Sequence, residues 1–422
     1  MGLGPSLAEE GVTEEEAKAY RDMVGDVSCW YFTHMKGDWA SSEPIYHARM
    51  TQHPCRTDDP EKATVFYLPY YAALGLERVF SKKNSTLSNE LPLAFTAWLA
   101  EQPYFRRNGG VDHFMAIGAG VWNLQQQNVS PQHCGLLDDP VTANMTKMSH
   151  DKDPWDRTTT GIPYPVFFHP SNDDQIRAWK DRVRSWPRKY RAAFIGSKSR
   201  EGASFAFSSW RFSFRSMLLD ECEGWDQCEV LDCHYEGSGG VSKCHRPRFP
   251  LQLSLDSDFC FQPAGDTMPR KSTFDGMIAG CIPVFFDEDS AATQYFWYLP
   301  ANRSSYSVYI NYEEVEKEGK DVVTFLKKVI KQLSSYTPEQ IATMRNVILD
   351  NILPSLVTAN PNDFHLNHFQ DAVSRAVEKM MIKVARFKAG VEHQFPNPYL
   401  LTAHEAYSYQ VLELPAPHES PA

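Results

Sequence analysis

The stretch FCFQPAGDTMPRKSTFDGMIAGCIPVFF, residues 259–286, decides the fold. Its opening residues, within SDFCFQP, read as a buried strand. The chain then turns through Pro263, Gly265 and Asp266. A helix is expected to start near Pro269, because a first helical turn needs no donor from that nitrogen. Gly280 ends it, and CIPVFF re-enters the sheet as a second buried strand. Strand, loop, helix and strand in this order build a parallel sheet, which takes ligands at the carboxyl ends of its strands. The helix start favours an anion through its open backbone N–H groups, and Arg270 and Ser272 add side-chain donors there. Gly265 lets backbone come close to a ligand. Asp275, about one turn into the helix, is placed to accept from ribose hydroxyls. The set suits a nucleoside diphosphate, although neither a Gly-x-Gly-x-x-Gly fingerprint nor a Walker-type Gly-Lys-Ser/Thr is present. The plain alternative is a structural unit with Asp275 solvated.

Outward from this unit the same alternation recurs. Upstream, YRAAFIGSKSR (190–200) is a short strand running into a Gly-Ser turn, followed by a helix over 212–222 and a Cys-rich loop. Further upstream, ATVFYLPYY (63–71) reads as a strand, LPLAFTAWLAEQ (91–102) as a helix and DHFMAIG (112–118) as another strand. Residues 12–50 read as helical, broken near Gly37-Asp38, with Glu43 opening the segment to Met50. The Pro-punctuated stretch from Trp155 to Pro187 reads as a linker carrying a basic polar helix. Helices are expected over 321–334, 337–352 and 367–388, then a disordered tail. The chain is thus expected to be α/β, with two facing Rossmann-like domains over 20–185 and 186–360. A helix at 361–390 packs back, and a tail fills 391–422.

At 422 residues, two domains are the default. A formal net charge of −11 argues against a broad grip on nucleic acid. No window approaches the roughly 20 apolar residues of a membrane span, and the acidic first twenty residues do not resemble a signal peptide. A soluble chain is expected, with any anchor or signal lost or left out. Four Asn-x-Ser/Thr sequons, at Asn84, Asn128, Asn144 and Asn302, point to the secretory pathway. So do nine cysteines, four of which (Cys222, Cys228, Cys233, Cys244) crowd one stretch. That crowd lacks the Cys-x-x-Cys hook of structural zinc sites, so loop-stapling disulfides of open connectivity are expected. The odd total leaves at least one cysteine unpaired. Aromatic residues make up 13% of the chain, enough to pack the core and also to stack on flat sugar faces.

Residues 259–286 resemble the signature of the exostosin-like glycosyltransferases, family 47, in the plant branch that includes xyloglucan galactosyltransferases. The matching residues are Phe259, Cys260, Gln262, Pro263, Gly265, Asp266, Arg270, Ser272, Phe274, Asp275 and the run Ala279 to Val284. TQYFWYLP (293–300), YSVYI (306–310), RTDDPEKATVFYLPYYA, DHFMAIG, GIPYPVFFHP and AAFIGSKSR fall in the family's order, so the likeness covers roughly residues 20–385. The resemblance implies a GT-B fold and inverting transfer from a UDP-sugar, with galactose and xyloglucan side chains as first expectations. It also implies a Golgi-lumen domain on an N-terminal anchor. No cofactor and no metal are expected. This chain departs from the pattern in lacking an anchor, in DED (287–289) where relatives carry His-Pro, and in extra residues at 35–42.

Arg200 and Arg215 match basic positions of the family and are expected to neutralise the departing diphosphate. Asp275 and Ser272 fall to the nucleoside and sugar side. The transfer needs a base for the acceptor hydroxyl, and Glu43, Asp112 and His113 are the candidates. Three rivals stand beside this reading. DED after CIPVFF would serve a metal-dependent GT-A enzyme as an Asp-x-Asp site. A glycan-binding protein without catalysis would use the aromatics alone. Galacturonic acid or arabinose could replace galactose as the transferred sugar.

Overall fold

The computed structural model describes residues 41–75, 87–120, 136–137, 139–152, 159–197, 209–233, 242–265, 267–312, 315, 321–360 and 364–390. Two parallel sheets organise them. The first has the order β1-β2-β3-β4, with β1 Phe66–Tyr67, β2 His113–Gly120, β3 Thr146–Asp151 and β4 Thr159–Gly161. The second has the order β6-β5-β7-β8-β9, from β5 Tyr190–Gly196, β6 Cys228–Asp232, β7 Ser257–Gln262, β8 Ile282–Phe285 and β9 Val308–Tyr309. Eleven α-helical segments accompany them among the described residues. They are α1 Ser42–Thr51, α2 Leu87–Glu101, α3 Pro103–Arg107, α4 Asp173–Ser185, α5 Ser209–Glu223 and α6 Arg248–Leu255, then α7 Lys271–Ile278, α8 Val322–Ser335, α9 Pro338–Val347, α10 Leu353–Leu356 and α11 Ala372–Lys388. Two such sheets, each with helices, are the GT-B-like architecture.

The central strands are apolar on both faces because helices cover both. Phe259, Phe261, Ile282 and Val284 on one face, and Cys260 and Phe285 on the other, are all buried, as parallel strands between helix layers require. Cys260 and Cys281 form a disulfide that ties β7 to the end of the α7 turn. The Cys-rich segment carries two more, Cys222–Cys228 and Cys233–Cys244. The cysteines are therefore loop staples, and β6 lies between them where a loop was expected. Cys55 is free and exposed.

The stretch 155–187 is not a linker among its described residues. It contains β4 and α4, and Ile162, Val166, Phe167 and Phe168 are buried. Its prolines interrupt regular structure in a segment that crosses the interior, so the punctuation marks an extended path and not a solvated one. Trp179 of α4 donates from Nε1 to the Ile278 carbonyl at 2.8 Å, and Lys180 pairs with Asp350 at 2.6 Å. By packing, α4 sits with the second sheet although the sequence placed it in the first domain.

His169 of this crossing is buried, with Nδ1 at 3.0 Å from the Thr358 carbonyl and 2.8 Å from the Thr358 hydroxyl. Burial lowers its pKa to about 4; the Thr358 carbonyl opposes the shift and Lys271 adds to it. An unfolded histidine takes its proton near 6.5. The unfolded chain therefore binds more protons across that window, and this contribution to stability is full above it and lost as pH falls toward 4. The loss is about 3 kcal/mol. Urea midpoints at pH 7 and pH 4.5 should fall less in His169→Gln than in the parent chain; equal slopes would refute the assignment.

The C-terminal segment returns to the first sheet. Lys383 of α11 donates to the Thr146 hydroxyl of β3 at 2.8 Å, and Arg49 of α1 pairs with Asp371, the N-cap of α11, at 2.9 Å. Tyr298 donates to the Ala372 carbonyl at 3.3 Å.

Candidate active site

The second sheet reverses its strand order between β5 and β7, since β6 lies on one side of β5 while β7, β8 and β9 run out on the other. The connections after two neighbouring strands then leave in opposite directions, which opens a crevice at their carboxyl ends. Both guanidinium groups described there face this crevice region. Arg215, on α5, donates from Nε to the Ser197 carbonyl at 2.9 Å, just past β5. It also reaches the Pro263 carbonyl, just past β7, at 3.4 Å. Arg270, the N-cap of α7, donates from Nη2 to the Thr267 carbonyl and hydroxyl, the latter at 2.8 Å.

Each arginine lies over a glycine. A Cβ on Gly265 would stand 2.7 Å from Nη1 and 2.9 Å from Cζ of Arg270. A Cβ on Gly196 would overlap Nη2 of Arg215. Gly265 thus makes room for a protein guanidinium, where the sequence suggested room for a ligand.

Helix α7 begins at Lys271, two residues after the expected Pro269, because Arg270 keeps extended backbone (φ −133°, ψ 138°). Gln262, at the end of β7, accepts from the hydroxyls of Ser272 at 2.7 Å and Thr273 at 3.2 Å, which fixes the helix start to the strand end. Asp275 is buried and pairs with Lys271 at 2.7 Å, and that ammonium lies 3.6 Å over the Phe167 ring. The structure therefore gives the Asp275 carboxylate a cation as partner where ribose hydroxyls were expected. A third positive charge is held at the helix start by this pairing. Arg200 and Asp266 lie outside the described residues.

Facing this edge is the first sheet. Tyr295 donates to the carbonyl of His150 at the end of β3. Gln294 accepts from the Lys152 backbone at 3.0 Å. His150 stacks on Tyr164 at 4.7 Å, and Tyr164 touches Phe274 of α7 at 5.9 Å. His150, Asp151 and Lys152 were not singled out from sequence; their place at the end of a strand was the available signal.

The three base candidates fare differently. Asp112 and His113 begin β2, so they sit at its amino end, away from the carboxyl edge. Their side chains bond each other at 2.7 Å and are buried. Burial alone would raise the Asp112 pKa, but hydrogen bonds from His113 and Asn108 hold it below its ordinary value. His113 stacks on Phe66 at 4.6 Å. Both are corrected to structural residues. Glu43 is at the right end, yet it is 1% exposed and accepts from the backbone of Ala73 at 2.8 Å, Leu74 at 3.3 Å and Gly118 at 3.1 Å. It positions the loops after β1 and within β2. One turn on, His47 is half-buried and meets the Tyr71 hydroxyl at 2.5 Å.

DED is likewise built into the fold. Asp287 caps a short turn and accepts from Tyr312 at 3.1 Å, Glu288 pairs with Arg303 at 3.4 Å, and Asp289 accepts from Thr293 at 2.9 Å. Burial, foremost, raises the Asp289 pKa. Among the described residues no three His, Cys, Asp or Glu side chains group as metal ligands. The single-domain GT-A reading fails on the presence of two parallel sheets.

A family model described as the exostosin GT47 domain matches residues 11–329. The chain belongs to the exostosin GT47 family. Similar curated proteins come from Arabidopsis thaliana. The "Probable xyloglucan galactosyltransferase GT17" is 34% identical over 83% of this chain and 71% of its own length. The "Xyloglucan-specific galacturonosyltransferase 1" is 34% identical over 85% of this chain and 50% of its own. The "Xyloglucan galactosyltransferase MUR3" is 31% identical over 98% of this chain and 61% of its own. The chain thus spans half to about seven-tenths of these relatives. Among the described residues no helix is long and apolar enough to cross a membrane.

Proposed function

We propose that this GT47 chain is an inverting hexosyltransferase that moves galactose from UDP-galactose onto xyloglucan side chains in the Golgi lumen. The observation that carries the reading is the pair of glycine-seated guanidiniums, Arg215 and Arg270, at the switch point between β5 and β7. Charge grows on the diphosphate as the bond from the sugar's anomeric carbon to phosphate breaks, and fixed cations there stabilise that state. The acceptor hydroxyl forms the new bond to the same carbon and gives up its proton. His47, on the helix over the carboxyl edge of the first sheet, takes that proton. Three disulfides support an oxidising compartment. Transfer is expected to persist in EDTA, as the resemblance to family 47 implies.

The test is a donor screen with purified protein and xyloglucan oligosaccharides. UDP-galactose should transfer best, ahead of UDP-galacturonic acid and UDP-arabinose. A galacturonosyl preference would move the donor assignment, and no turnover of any UDP-sugar would leave a glycan-binding protein. His47→Asn should lower kcat about 100-fold. An unchanged kcat would remove His47 as the base.

A further inference from the structure

Helix α2 shows solvent an apolar surface that its own fold does not need. Leu91, Leu93 and Trp98 are 56%, 61% and 53% exposed, and Ala94 and Ala97 stand exposed between them. The inward face is Pro92, Thr96 and Leu99, so across 91–98 both faces are apolar and Thr96, the one polar side chain, points in. A helix of this composition ordinarily has both faces covered.

What covers the outer face follows from where it leads. The Trp98 ring stacks on Phe95 at 6.2 Å, and Phe95 stacks on Tyr70 at 4.2 Å. Tyr70 belongs to the turn just past the carboxyl end of β1. The next residue, Tyr71, is exposed and bonds His47. The apolar row is therefore continuous with the rim where the acceptor hydroxyl is expected. Residues 87–102 contain no Lys or Arg, so the face has no attraction for an anionic membrane. Eight residues span about 12 Å of a helix about 10 Å wide, a face on the order of 120 Å² and far short of the roughly 800 Å² that each partner of a stable dimer buries.

We infer that α2 is a rail for the acceptor polymer. A neutral β-linked glucan backbone lays the C–H faces of its sugars over Trp98, Leu91 and Ala94 and runs to the rim at Tyr70–Tyr71. This inference rests on the proposed transferase reading and adds to it the length of acceptor that is gripped.

The test compares the full chain with Trp98→Ala and Leu91→Ser. The KM for polymeric xyloglucan should rise about 10-fold in Trp98→Ala, the loss of one stacked ring. The kcat, the KM for UDP-galactose and the KM for a short xyloglucan oligosaccharide should stay as in the parent. Electrophoresis through gels containing xyloglucan or hydroxyethyl cellulose, with no donor present, separates the two claims. Retardation of the parent and not of Trp98→Ala supports the rail even if no sugar is transferred, in which case the transferase reading alone fails. Equal retardation of both overturns the rail. So does a dimer that Trp98→Ala converts to monomer in light scattering, or binding to neutral phosphatidylcholine vesicles that the variant loses.

Discussion

Arg270→Ala lowers kcat for sugar transfer about 100- to 1,000-fold, the loss of one preorganised donor to a developing anion. The KM for UDP-galactose changes less, because the departing diphosphate carries more charge than the bound donor. Arg270→Lys recovers little of this, since an ammonium cannot reproduce the planar fork held by the Thr267 carbonyl and hydroxyl. The decisive variant is Gly265→Ala. Its methyl carbon would stand 2.7 Å from Nη1 of Arg270, so the guanidinium must shift although no charge has been removed. Gly265→Ala should therefore lose part of what Arg270→Ala loses, and the double variant little more than Arg270→Ala alone. Circular dichroism separates this from unfolding. Turnover near the parent's in Arg270→Ala would remove the donor-site assignment. Full activity in Gly265→Ala would mean that the guanidinium keeps its function after shifting and that the seat has no role.

Much of this architecture was readable because it rests on local pattern. The strands β2, β5, β7 and β8 are short apolar runs bounded by turns, and each appears within a residue or two of its expected place. β1 is shorter than its pattern suggests: only Phe66 and Tyr67 pair, because Pro69 stops the ladder, and just beyond the strand stretch the Glu43 carboxylate takes the Ala73 and Leu74 N–H groups. That partner is 30 residues away, so no local window contains it. The linker error has the same origin, since proline content reports irregular backbone and is silent on burial. In the site, sequence named Arg215 and Arg270 as basic positions, and the structure brings both to one sheet edge. It had no access to the two glycine seats, which come from a side chain folding back over a strand end. For Asp112 and His113 the needed signal was present and unused. A residue that opens a parallel strand lies at the end opposite the ligand, so their order in the chain already argued against them.

Arg49→Ala destabilises the fold by about 3–5 kcal/mol, the cost of leaving a buried charge without its partner. The Arg49 side chain is 1% exposed and that of Asp371 is 0% exposed. Nε of Arg49 meets Oδ2 of Asp371 at 3.0 Å, and the guanidinium lies 3.6 Å over the Phe364 ring. Asp371 also accepts from the backbone of Ser374 and Ala359, each at 2.9 Å, so it caps α11 while holding α1. Removing the arginine strands an anion; removing the carboxylate strands a cation and uncaps a helix. Asp371→Ala should therefore cost at least as much as Arg49→Ala. Arg49→Met with Asp371→Asn, which deletes both charges and keeps a capping oxygen, should cost less than the sum of the single changes. The pair is also the buried ionic contact between α1, over the carboxyl edge of the first sheet, and the returning helix. Loosening it shifts the acceptor-side rim relative to the arginines of the second sheet, and even small misplacements of reacting groups are costly. Transfer activity in Arg49→Ala should accordingly fall at temperatures where circular dichroism still reports a folded chain. A shift of the urea midpoint worth less than about 1 kcal/mol, the value of an exposed pair, would show that this contact does not hold α1 to the returning helix.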